Sequence, residues 1–136
     1  MEWKKDFFTV SDDIKKLDTE AVFQFLTNSY WARGRSKETI EQSIKNSFCL
    51  GLYKDEQQIG LARVITDYVT FAYLCDVYII EEFQRKGLGH FLMECLFLHP
   101  QMQAMKWVLK TTSAQTLYKD FEFKDLDSSF GWMSRK

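Results

Sequence analysis

The sequence predicts a mixed α/β (α+β) domain built on a mostly antiparallel sheet. Three observations predict it. Apolar runs at Phe48–Tyr53, Ile59–Tyr68 and Phe71–Ile80 follow one another across short polar connections, the pattern of an antiparallel meander. Between 88 and 96 the period changes: Leu88, Phe91, Leu92, Cys95 and Leu96 fall on one face of a helix, and Pro100 closes it. Segments of helical period also precede the meander and follow it.

Taken in order, residues 3–10 alternate weakly and read as a first strand, with Ser11-Asp12-Asp13 as its turn. Asp18 or Thr19 caps a helix to about Asn28, with Val22, Phe25 and Leu26 inward. Ser36 caps a second helix that carries Ile40 and Ile44 inward. The strand from Phe48 and the strand from Ile59 are joined by Lys54-Asp55-Glu56-Gln57-Gln58. Arg63 lies inside the second of these, which calls for an exposed edge or a carboxylate partner. The run Phe71–Ile80 holds a single charge, Asp76, and reads as a buried central strand. After an irregular link, Lys106–Thr111 is a strand, and Thr112 or Ser113 caps a short helix with Ala114, Leu117, Tyr118 and Phe121 on one face. The tail, with Phe123, Leu126, Phe130, Trp132 and Met133, reads as a last strand or strand pair.

Composition bounds the function. The 136 residues make one domain, 1–136, with 46% apolar residues and therefore a packed core. A net charge of −1 gives no overall attraction for nucleic acid or an anionic membrane. Cys49, Cys75 and Cys95 are isolated, as small buried hydrophobes of a reducing compartment are, and neither His90 nor His99 completes a metal pattern with them. With neither a signal peptide nor a span-length apolar run, the expected location is cytoplasmic, and no metal is expected.

Chemistry concentrates in two places. Directly after the central strand comes Gln84-Arg85-Lys86-Gly87-Leu88-Gly89. The unpartnered first amides of the helix, two glycines that let a ligand approach the backbone, and two basic residues together suit a phosphate or pyrophosphate. The bland alternative is an ordinary strand-to-helix turn. A Walker loop is excluded because no hydroxyl follows Gly89, and a dinucleotide fingerprint because Leu92 stands where the third glycine belongs. The second place is Ser29–Arg35. Tyr30 and Trp31 either plug the core or form an apolar wall, and Arg33 or Arg35 either sit in water or pair with an acidic group of a substrate.

The segment Gln84–Gly89 resembles the Gln/Arg-x-x-Gly-x-Gly/Ala signature of the GNAT family of N-acetyltransferases. Leu117-Tyr118-Lys119-Asp120-Phe121-Glu122-Phe123 is similar to that family's Leu-Tyr-x-x-x-Gly-Phe ending, departing from it at Asp120 and Glu122. The resemblance, over roughly residues 50 to 123, implies a mixed sheet flanked by helices on both faces and split at one end to hold acetyl-CoA. It implies that the central strand at Val77, Tyr78 and Ile79 meets the pantetheine arm, and that Gln84, Arg85, Lys86, Gly87, Leu88 and Gly89 hold the pyrophosphate. It implies direct attack by a primary amine of a small-molecule acceptor, with Tyr118 as the acid that meets the departing thiolate. The segment bearing Tyr30, Trp31, Arg33 and Arg35 would line the acceptor pocket. Asp76 has two open roles, a general base with a burial-raised pKa or a structural acid paired with Arg63 or a backbone group. Two other functions stay open, a non-catalytic acyl-CoA-binding or sensor domain and a protein N-acetyltransferase. An apolar tail also permits a homodimer.

Overall fold

A computed structural model describes residues 1–103, 106–126 and 131–135. The chain starts with a hairpin, β1 (Glu2–Lys5) and β2 (Phe8–Ser11). The sequence reads one strand here. The reversal falls at Asp6, whose φ of 56° is left-handed, and aspartate is among the few residues that tolerate that region.

Helix α1 (Thr19–Leu26) is capped by Asp18, whose Oδ1 accepts the Ala21 N–H at 3.0 Å. Helix α2 (Lys37–Lys45) is capped by Ser36, whose Oγ accepts the Thr39 N–H at 3.1 Å. Both starts are those the sequence predicts. Strands β3 (Phe48–Lys54), β4 (Gln57–Thr66) and β5 (Phe71–Ile79) form the antiparallel meander. Helix α3 (Leu88–Leu98) follows, then β6 (Lys106–Leu109) and α4 (Gln115–Lys119). The sheet runs β1-β2-β3-β4-β5-β6, antiparallel throughout except for the parallel β5–β6 pair.

The sheet is covered on both faces. On one, Leu50, Leu52, Val64 and Leu74 pack against Phe91, Leu92 and Leu96 of α3 and against Tyr118 of α4. On the other, Leu61 and Tyr78 pack against Val22 and Leu26 of α1 and Ile40 and Ile44 of α2. Among the described residues no helix is long and apolar enough to cross a membrane.

Two features of β5 position the site. Its register with β4 steps from Arg63↔Asp76 to Val64↔Leu74, so Cys75 is an extra, bulged residue. A bulge reverses which face the following side chains meet. Leu74 therefore packs on the α3 side, Asp76 and Tyr78 on the α1–α2 side, and Val77 and Ile79 on the α3 side again. At the same point β6 leaves: its pairing ends at Leu74↔Leu109. From Cys75 onward the sheet is split, and among the described residues no strand pairs with β5 on that edge.

Strand β6 ends two residues before the Thr111 limit the sequence predicts, so Lys110–Ala114 form a free wall. Thr111 Oγ1, rather than Thr112 or Ser113, accepts the Ala114 N–H before α4, at 3.0 Å. The predicted last strand passes through 127–130, outside the described residues; 123–126 and 131–135 carry no regular structure.

Candidate active site

The turn from β5 into α3 is shaped by backbone. Arg85 (φ 64°) and Gly87 (φ 77°) both take the left-handed conformation. Space beside Gly87 is open, with nothing within 4 Å of where a Cβ would stand. Leu88 is buried and anchors the start of α3 in the core. Gly89 faces Leu117 of α4. Gln84 Nε2 donates to the Ile79 carbonyl at 2.8 Å and so ties the turn back to the strand that feeds it. Among the described residues no acceptor meets the amides of Gly87, Leu88 and Gly89, and no carboxylate pairs with the exposed Arg85 and Lys86. The result is a positively polarised helix start open to an anion.

The adjoining strand edge is also open. Ile80 N–H donates to Ile59 O at 2.8 Å. By the alternation of an antiparallel ladder, Tyr78 and Asp76 then direct their backbone groups to β4, and Val77 and Ile79 direct theirs to the edge that β6 has left. Of the three strand residues singled out from the sequence, Val77 and Ile79 face this edge and Tyr78 does not. Its ring stacks on Phe25 at 3.8 Å, 9° from parallel, in the core of the other face.

Where the sheet splits lies a cleft of about 600 Å³. One wall is β5 from Tyr73 to Val77, with Arg63 and Ile65 of β4; the other is Lys110–Ala114 with Tyr118; Tyr30, Trp31 and Arg35 close the end. Tyr118 is buried, and burial pushes its phenol up to about 12. Its hydroxyl has no hydrogen-bond partner among the described residues, so it is a neutral group left free to donate, on a residue that lines the cleft. Tyr30 OH and Thr112 Oγ1 meet at 3.0 Å and bridge the two walls. The cleft's thiol, Cys75, donates to Arg63 O at 3.3 Å, and burial raises its pKa, so it is a poor nucleophile.

Asp76 anchors the end of the cleft from behind. It is fully buried and holds Arg63 Nε at 2.7 Å, Arg35 Nη1 at 3.0 Å and Trp31 Nε1 at 2.8 Å. Burial alone raises its pKa, but the charge and hydrogen bond of Arg63, with help from Trp31 and Arg35, outweigh it and hold the carboxyl below its ordinary value. The sequence leaves base and structural acid open for Asp76; a carboxylate saturated with donors and depressed in pKa is a weak proton acceptor. Arg63 finds in Asp76 the carboxylate partner its position in the strand calls for.

Trp31, Tyr30 and Arg35 reach the cleft, whereas Arg33 does not. It borders a separate shallow hollow with Gln24, Phe25 and Asn28. The reason is Gly34 (φ 92°), which turns the chain between the two arginines. Lys110 and Cys75 line the cleft without having been singled out as site residues. Their placement follows from the end of β6 and from the bulge, neither of which has a local sequence signal.

Comparison with known proteins bears on the family and the fold. A family model described as an acetyltransferase (GNAT) domain matches residues 45–125. A Gibberella zeae protein provisionally named an acetyltransferase is 31% identical over 114 residues, covering 69% of this chain and 64% of that protein, so the chain spans less than two-thirds of this relative's length. A crystal structure of a Xanthomonas campestris protein, provisionally named a GNAT-family acetyltransferase, superposes with a TM-score of 0.91 at 32% identity, covering 95% of this chain and 92% of that one. A GNAT-family acetyltransferase of Elizabethkingia anophelis, solved with acetyl-CoA bound, shares the fold at a TM-score of 0.67 and 20% identity over 96% of this chain and 88% of that one.

Proposed function

Because the chain belongs to the GNAT family of acetyltransferases, we propose that it transfers the acetyl group of acetyl-CoA to the primary amine of a small acceptor by direct attack. The observation that carries this reading is convergence on one cleft. The open backbone edge at Val77 and the unpartnered hydroxyl of Tyr118 border the same space, and the anion-ready start of α3 follows the same strand.

The residues fit the coenzyme in kind. The amides of Gly87, Leu88 and Gly89, with Arg85 and Lys86 beside them, suit a pyrophosphate. The edge groups of Val77 and Ile79 suit the amides of a pantetheine arm, the Ile79 carbonyl already being engaged by Gln84. When bound, acetyl-CoA supplies the thioester carbonyl and a thiolate leaving group. Tyr118, kept protonated by burial, donates to that thiolate. The edge amides donate to the oxyanion that forms as the amine adds, and as the C–S bond breaks the nitrogen gives up its proton to solvent in the open cleft.

The amine must arrive neutral, and an alkylammonium has a pKa of ~10. Among the described residues that line the cleft there is no carboxylate, while Arg35, Arg63 and Lys110 are cationic. That field disfavours an ammonium and lowers its pKa, so a neutral amine is favoured without a side-chain base. Asp76 acts as the anchor that fixes Trp31 and Arg35. Cys75 is not acylated, because burial keeps it a thiol.

The test is release of free thiol from acetyl-CoA as a function of added amine. Amine-dependent release with no acetyl-protein adduct by intact mass supports direct transfer. Binding of acetyl-CoA without amine-dependent release across a broad panel leaves only a binding domain.

A further inference from the structure

The proposal here rests on the acetyltransferase reading and narrows its acceptor. Among the described residues three cationic side chains, Arg35, Arg63 and Lys110, border the cleft, and none of those lining it is acidic. Asp76 lies behind the wall and balances one charge. Both of its oxygens are taken up by Arg63 Nε at 2.7 Å and Arg35 Nη1 at 3.0 and 3.2 Å. Arg63 also donates from Nη1 to Ser47 Oγ at 2.9 Å and is buried, which keeps it from a ligand. Arg35 is not used up. Only its Nη1 is engaged, its side chain is 29% exposed, and Nε and Nη2 have no acceptor among the described residues. Lys110, on the opposite wall, is exposed and has no ion pair among the described residues. The hydroxyls of Thr111, Thr112 and Ser113 sit beside it.

The cleft therefore carries uncompensated positive charge from two sides, with hydroxyls beside Lys110. Such a field repels a polyamine and gives a simple alkylamine nothing to hold. We propose that the acceptor is an amine that also carries an anionic group, a carboxylate or a phosphate, held by Lys110 and the free face of the Arg35 guanidinium. A monoanion offsets part of the field that would otherwise exclude the acceptor; with Asp76 balancing a second charge, one of the three cations is left to favour the neutral form of the amine. The fixed guanidinium suits this task because Asp76 and Trp31 hold its loop in place before any ligand arrives.

The experiment compares matched amines with acetyl-CoA and the full chain: glycine and β-alanine for carboxylates, phosphoethanolamine for phosphate, ethanolamine and propylamine as neutral counterparts, and putrescine as the dication. The expected result is kcat/KM at least about ten-fold higher for an anionic amine than for its neutral counterpart, with the carboxylate and phosphate arms distinguishing the two anions. Raising salt from low to moderate concentration should raise the KM of the anionic acceptor. Lys110→Gln should shrink the anionic-to-neutral kcat/KM ratio about five-fold through KM, while Arg33→Ala, outside the cleft, should leave that ratio unchanged. Preferential turnover of neutral or dicationic amines overturns the anionic acceptor and leaves acetyl transfer standing. No turnover of any amine, with acetyl-CoA bound, overturns the acetyltransferase reading and this inference with it.

Discussion

Trp31 Nε1 donates to Asp76 Oδ1 at 2.8 Å, linking residues 45 apart in sequence. Through this bond and the Arg35–Asp76 ion pair, the bulged central strand holds the loop that closes the cleft. The bulge at Cys75 makes the contact possible, since without it Asp76 would point to the α3 face.

Removing this carboxylate charge should be expensive. Asp76→Asn leaves Arg63 buried without its counter-ion, and the expected loss is about 3 kcal/mol. Chemical denaturation of the two proteins measures it. The sign of the pH dependence follows from the depressed pKa. Asp76 contributes stability that is fully present above the unfolded-state value near ~3.9 and is lost as pH falls through the lower folded-state value. The acid stability profile of the wild type should therefore fall more steeply below about pH 4 than that of the Asn variant. Parallel profiles would remove Asp76 from this role.

Tyr118→Phe separates chemistry from binding. The hydroxyl has no protein partner among the described residues, so folding stability should change by less than about 0.5 kcal/mol. Loss of the acid should lower kcat about 100-fold and change acetyl-CoA affinity less than about two-fold. With the phenol at about 12, the wild-type rate should rise with pH as the amine deprotonates and show no falling limb from Tyr118 in the range where the protein is usually assayed. An unchanged kcat in the Phe variant would end the acid assignment.

Glu122 stands at φ 70°, in the turn where the resembled family often has glycine. A non-glycine residue there is strained by roughly 1 kcal/mol. Glu122→Gly should therefore stabilise the chain by about 0.5 kcal/mol, after the greater freedom of glycine in the unfolded chain is subtracted. Thermal melts at one pH measure this, and a lower Tm would show that the Glu122 side chain contributes more than its backbone loses.

The meander, the caps at Asp18 and Ser36, and the start of α3 were legible because each depends on residues within a few positions of one another. The same holds for the position of the Gln84–Gly89 turn before α3 and of Tyr118 within α4. What was not legible depends on distant strands. The Cys75 bulge turns Tyr78 away from the open edge while keeping Val77 and Ile79 on it, and nothing in the run Leu74–Ile80 marks it. The hairpin at Asp6 has neither glycine nor proline. Lys110 gains its place in the cleft only because β6 stops at Leu109, and Arg33 loses its place because Gly34 turns the chain between the two arginines.

The central claim, that the start of α3 and the open edge of β5 hold acetyl-CoA, is tested most directly by calorimetric titration of the full chain. ATP and dephospho-coenzyme A serve as controls, with Gly89→Val as the variant. A Cβ at Gly89 meets only Leu117 at 3.5 Å, an ordinary contact; a thermal melt checks that the variant folds, and its branched side chain crowds the approach to the amides. Saturable one-site binding of acetyl-CoA to the wild type is expected, with at least about ten-fold weaker binding to the folded variant. No binding to a folded wild type, or equal binding to both, would contradict it.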